Sequence, residues 1–360
     1  MSSENSLKSI AQRTGVSIST VSRVLNGKHE QYRISPRTVK RVMDEAKRID
    51  YKPSIVAQSL RTRKSYTIGL LIPSIDNPYF ANIASEIVLE AHRYNYTIIL
   101  LDSMEDENTE KECIETLLAR NIDGIILVPC GERPEYLEKI DQRCPVVLID
   151  RYFESTSLSY ICTDNYQGAL EGMKLLLSNG HRDILCIRGV PHSTPSKERV
   201  KGYMDALQQA ACSEMCHITG NDYSISNGYL ETKLAIGSTS RPTAIFALSN
   251  TIMLGAIKAI GESTLRIPED ISILSYDNNL FLDFLHPPIT RISQPTKEIS
   301  QLAVKVLMER MANPDMPPKQ IKLPAQIIEG SSIKNIRQSQ DCSTPLFCTT
   351  FDAKSAYYRY

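Results

Sequence analysis

Between Leu7 and Ile49 apolar residues recur three or four apart in three short blocks, each opened by a hydroxyl side chain. Leu7, Ile10, Ala11 and Thr14 follow Ser6, and Gly15 stands where a helix would stop. After a three-residue turn, Ser17 caps a second helix running to about Asn26. Val21, Val24 and Leu25 share one face of it; Ile18, Ser19, Ser22 and Arg23 share the other. Ser35 and Pro36 open a third helix, expected to bury Val39, Val42, Met43, Ala46 and Ile49.

From Tyr66 the period changes. Apolar runs at 67–72, 97–101, 124–128 and 146–149 alternate with helical patterns near 79–94, 108–120 and 135–142. A second set follows, with runs at 184–187, 244–248 and 271–274 and helices near 165–178, 198–211, 226–235 and 250–261. This is βαβ winding twice over, too much for one comfortable sheet. The expected fold is therefore an all-α headpiece followed by an α/β core of two doubly wound, parallel-sheet lobes.

Charge sharpens the division. The 41 basic and 41 acidic side chains balance, yet residues 1–66 hold 14 Lys/Arg against 5 Asp/Glu. A basic end on an acidic body points to a polyanion partner. Two helices joined by a glycine turn, the second with small polar groups and an arginine outward, form a helix-turn-helix. Ser19, Thr20 and Ser22 let a backbone approach a major groove, Arg23 can reach guanine O6 and N7, and Ile18 can touch a thymine methyl. Lys8, Lys28, Arg33, Arg37 and Lys40 would neutralise phosphates. In the segment Pro53–Arg61, Ile55, Val56 and Leu60 are apolar on a piece too short to hold a helix alone. The residues by themselves fit a linker as well as a conditional helix.

Other classes lose support. No run of 18 apolar residues and no N-terminal apolar core of a leader occur, so neither a membrane span nor export is expected. Nine Cys without framework spacing suit reduced thiols in the cytoplasm. Cys212, Cys216 and His217 lack a fourth ligand for a metal. Phosphate-binding glycine motifs and hydrolase signatures are absent, so neither cofactor nor enzyme activity is expected. In open parallel sheets ligands bind beyond the carboxyl ends of strands. Those ends carry Asp76, Tyr79 and Phe80, then Asp102 and Asp150-Arg151, then residues 192–199, Ser249-Asn250 and Tyr276-Asp277-Asn278. Rings, carboxylates, arginine and amides around a cleft suit a polyhydroxylated ligand.

Two elements, VSISTVSRVLN (16–26) and YKPSIVAQSL (51–60), closely resemble the headpiece of the lac-repressor (LacI/GalR) family. IPSIDNPYF, DNYQGA, NGHRDI, ERVKGY, RPTAIFALSN, IPEDISILSYDN and PPITRISQP extend the resemblance over roughly residues 6–336. It implies a core like a periplasmic sugar-binding protein and a division at 1–52 (headpiece), 53–65 (hinge helix and linker) and 66–336 (two lobes). Residues 337–360 form an extension of no assigned role. Lobe 1 would take about 66–165 and 296–318; lobe 2 would take 166–295 and, with a strand-like 319–328, 319–336. By position Ile18 and Ser19 fall on the base-reading pair and Arg23 on a third reader. Leu60 falls on a leucine that wedges between base steps, beside Ala57. The resemblance sets Asp164 near the lobe junction, Arg199 on ligand hydroxyls, Tyr223 as a stacking ring and Asp277 as the hydroxyl-accepting carboxylate. Ser249-Asn250 departs from the family's usual Asn-Asp.

The expected function is an effector-controlled, sequence-specific regulator, most simply a repressor. It would act as a homodimer on a palindromic operator in double-stranded DNA and bind a carbohydrate between its lobes. A solute-binding protein for sugar uptake would share the body but has no use for a basic headpiece.

Overall fold

The computed structural model describes residues 6–51 and 64–337. The chain divides into two compact units at Ser65/Tyr66. In the first, α1 (Leu7–Thr14), α2 (Ile18–Leu25) and α3 (Pro36–Arg48) begin at Ser6, Ser17 and Ser35, each hydroxyl accepting a backbone N–H of the first turn. Gly15 ends α1 in the left-handed conformation, φ 63°, which a side chain would resist. Ile10, Ala11, Val21, Val24, Val42 and Ala46 form the core, with Val39 and Ile49 packed against it. Met43 does not join them; it is 50% exposed. One full turn of a three-helix bundle offers room for only a narrow apolar stripe, and Met43 falls beside it.

The second unit holds two six-stranded sheets. The first runs β11-β5-β4-β3-β1-β2 and is parallel throughout. Its strands are β1 (Thr67–Ile72), β2 (Thr97–Asp102), β3 (Gly124–Leu127), β4 (Val146–Ile149), β5 (Ser159–Thr163) and β11 (Gln320–Leu323). The second runs β12-β10-β9-β8-β6-β7. It comprises β6 (Ile184–Ile187), β7 (Cys216–Thr219), β8 (Ala244–Ala247), β9 (Ser272–Tyr276), β10 (Thr290–Ser293) and β12 (Gln326–Ile328). Only the β10–β12 pair is antiparallel. Central strands such as β3, β4, β6 and β8 are buried along their whole length, as continuous apolar runs between two helical layers must be.

Helices α4 (Pro78–Arg93), α5 (Glu107–Ala119), α6 (Glu135–Asp141) and α11 (Thr296–Ala312) cover the first sheet. Helices α7 (Asn165–Ser178), α8 (Thr194–Gln209), α9 (Ile225–Ile236) and α10 (Asn250–Gly261) cover the second. The chain passes between the lobes three times, after β5, after β10 and after β11. The strand-like run 319–328, expected to finish in lobe 2, is divided: β11 closes the edge of the first sheet and β12 that of the second. Pro324 sits between them and interrupts any continuous ladder.

Candidate functional site

On the headpiece, α2 turns Ile18 (48% exposed), Ser19 and Arg23 outward. Thr20 is half-buried, its hydroxyl 2.8 Å from that of Ser17, which also lies 2.8 Å from Ser19 Oγ. These contacts tie the start of the helix to its cap, so Thr20 supports the reading face rather than projecting from it. Arg23 lies over the ring of Tyr32, 3.9 Å from its centroid, which holds an otherwise floppy side chain against the 27–34 loop. Tyr32, in the loop between α2 and α3, carries no sequence signal for this role. Lys8, Lys28, Arg33, Arg37 and Lys40 are all exposed. Ala57 and Leu60 lie outside the described residues.

Within the core, the carboxyl ends of β1, β4, β9 and β10 converge between the lobes. Tyr79 stands in the first turn of α4, where Asn77 Oδ1 accepts its N–H at 3.0 Å. Its ring meets Phe80 edge-on at 5.2 Å. Asp150 follows β4 and Asp277 follows β9, both with left-handed backbones (φ 63° and 74°) that turn the carboxylates inward. Each is buried, 4% and 3% exposed, and burial raises both carboxyl pKa values against the pull of nearby arginines.

Arg199, on α8, donates through Nε to Asn165 Oδ1 at 2.8 Å and through Nη1 to the Leu248 carbonyl at 2.7 Å. Arg151 is held by Glu105 in a two-pronged pair, 2.7 and 2.8 Å. Tyr223 packs its ring on the backbone of Gly189, where a Cβ would come within 2.1 Å of it. Gln294 joins the halves: its Nε2 donates to Asp277 Oδ1 at 2.6 Å, and its Oε1 accepts from Thr163 Oγ1 at 2.6 Å.

Tyr79, Phe80, Arg199, Tyr223 and Asp277 thus line one inner pocket with Asp150, Arg151 and Gln294. About 20 Å³ of it is open to a water-sized sphere, room for roughly one water. Larger chambers open on either side, about 350 Å³ toward Cys130 and His192 and about 450 Å³ toward Ser74 and Asp222.

Three expected site residues fall elsewhere. Asp76 is exposed, bonds the Ser74 hydroxyl and lines only the outer chamber. Asp164 caps α7, its Oδ1 accepting Gln167 N–H at 3.0 Å; the neighbouring Asn165, not Asp164, bonds Arg199. Asn250 contributes its backbone N–H to Asp277 Oδ2 at 3.3 Å, while Ser249 lines the pocket. Gln294, the junction of the network, lies in the PPITRISQP element (287–295) but was not singled out there as a site residue. Among the described residues no cluster of His, Cys, Asp and Glu could hold a metal.

Two family models match the chain: bacterial regulatory proteins of the lacI family over residues 6–54, and the periplasmic binding protein-like domain over residues 173–333. The ribose operon repressor of Haemophilus influenzae is 33% identical over 86% of this chain and 92% of its own. The lac repressor dimer bound to operator and an anti-inducer has the same fold, with TM-score 0.83 at 24% identity over 91% of this chain and 99% of that one. A LacI family regulator from Enterococcus faecium with bound ribose aligns at TM-score 0.68 and 26% identity, over 75% and 99%. With a helix-turn-helix on one unit and a two-lobed ligand cleft on the other, the chain belongs to the lacI family of bacterial regulatory proteins: it is a DNA-binding transcriptional repressor with an effector domain, not an enzyme.

Proposed function

We propose that the effector is an uncharged monosaccharide, a pentose such as ribose, bound between Asp150 and Asp277. The carrying observation is that two inward-turned, buried carboxylates share one pocket with aromatic walls while both guanidinium groups there are already engaged. A ligand rich in hydroxyl donors suits that arrangement, because its hydroxyls can satisfy both carboxylates. Ribose is named for the Haemophilus influenzae relative and bound in the Enterococcus faecium one. Thermal-shift measurement on the full chain with D-ribose, other pentoses, hexoses and purines tests this: a native-state ligand raises the melting temperature by mass action, and a rise with a purine alone would displace the sugar reading.

The operator reading is assigned to Ile18, Ser19 and Arg23 on α2, with two headpieces of a homodimer on the halves of a palindrome. Ala57 and Leu60 are assigned to a hinge that orders in the minor groove, coupling lobe movement to DNA affinity. Among the described residues no helix is long and apolar enough to cross a membrane, and a duplex operator as target favours the cytoplasm.

A further inference from the structure

The inner pocket is filled by the protein's own hydroxyl. Tyr79 donates to Asp150 Oδ1 at 2.8 Å and lies 3.2 Å from Gln294 Oε1. Gln294 in turn reaches Asp277 of the opposite lobe. The chain of contacts Asp150–Tyr79–Gln294–Asp277 therefore spans the cleft along the path where ligand hydroxyls would lie. We propose that the Tyr79 hydroxyl is an internal stand-in for a ligand hydroxyl, holding the lobes together without effector and setting the effector concentration the protein responds to. This rests on the sugar reading of the same pocket.

The physical reason lies in Asp150. Its backbone conformation aims the carboxylate into the pocket, and a buried carboxylate lacking donors is costly. Either a ligand or Tyr79 must supply one. With Tyr79 supplying it, the closed form is populated beforehand, and a sugar must displace the phenol. The apparent affinity is then reduced by the fraction of molecules so occupied. Phe80 flanks the ring and the first turn of α4 holds its backbone, so displacing the phenol carries a cost that the ligand must meet.

Tyr79→Phe removes one oxygen and keeps the ring. In full-length protein without ligand, hydrogen–deuterium exchange should quicken at least threefold in the peptide spanning 150–155. The Tyr152 N–H there donates across the lobes to Thr194 Oγ1 at 3.2 Å, so its protection reports closure. Titration calorimetry with D-ribose should show binding tighter by roughly three- to tenfold, the net worth of one ordinary hydrogen bond. Unchanged exchange at 150–155 overturns the proposal, as does weaker ribose binding, which would make Tyr79 a direct ligand contact. If exchange quickens but ribose binds neither protein, the stand-in survives and the identity of the sugar fails.

Discussion

The guanidinium carbon of Arg199 lies 3.7 Å from the centroid of the Tyr276 ring, so this buried cation is fixed by an aromatic face as well as by Asn165 and the Leu248 carbonyl. A group so rigidly placed would meet a ligand without an ordering cost. Arg199→Ala removes the cation between Asp150 and Asp277, and Asp277→Asn removes a hydroxyl acceptor. Each should weaken D-ribose binding by about 3 kcal/mol or more, measured by calorimetry, and erase the difference in operator affinity with and without sugar.

On the headpiece, Arg23 and Lys28 should separate by what they read. Arg23→Ala is expected to cost about 1–3 kcal/mol on the best operator and to relax preference at one base pair. Lys28→Ala should weaken all duplexes alike and lower the slope of log affinity against log salt by about 1. Gel-shift titrations at several ionic strengths against operator and random duplex measure both.

Glu110, in the first turn of α5, is 2% exposed and accepts the Cys130 N–H at 2.6 Å. Burial pushes its carboxyl up to about 7, from 4.5. The folded state thus favours the protonated acid: the stabilisation is complete below about pH 4.5 and is lost as pH rises through about 7. Glu110→Gln does not titrate. The stability of the natural protein relative to this variant should fall by about 3 kcal/mol between pH 4.5 and 8, or roughly 5–10 °C of melting temperature. A constant difference across that range would show that Glu110 stays ionised in the fold.

Gly189→Ala places a methyl group within 2.1 Å of the Tyr223 ring. Gly189 lies in the loop after β6 without a left-handed backbone, so the backbone tolerates alanine and the ring must leave. Sugar affinity should fall about tenfold or more while the chain remains folded, read by calorimetry beside circular dichroism.

Leu60→Ala should leave the melting temperature unaltered and weaken operator binding, together with the bend that wedging imposes. Circular-permutation gel shifts measure the bend; equal affinity and equal bend in the variant would remove Leu60 from that role.

Much of this architecture was legible in residue pattern. Helix caps at Ser6, Ser17 and Ser35, and the central strands, carry strong local signals, because capping hydroxyls and two-sided burial leave little latitude in residue type. Other strands do not. The edge strand β7, Cys216–Thr219, is exposed at its start, and β10, inside the sheet, carries Thr290 and Arg291 for tertiary reasons that no periodicity reveals. In the pocket, Arg199 and Asp277 were found by resemblance and by strand ends. Asp164 looked equally suitable but is spent on capping α7, a distinction between ligand contact and local turn chemistry that only geometry draws. Gln294 matters because three strand ends happen to meet there. Met43 shows the converse, an apolar residue on a helical stripe that a small bundle has no room to cover.

The triple passage of the chain between its sheets has a consequence for biosynthesis. Each sheet takes its final strand from the stretch Gln320–Ile328, so a ribosome that has released the chain as far as Lys319 has still completed neither half of the sensor. The DNA-contacting end emerges first and the regulatory end matures last and all at once. A stop codon anywhere before Gln320 would therefore not yield a repressor with one crippled lobe; it would yield one with both sheets unfinished.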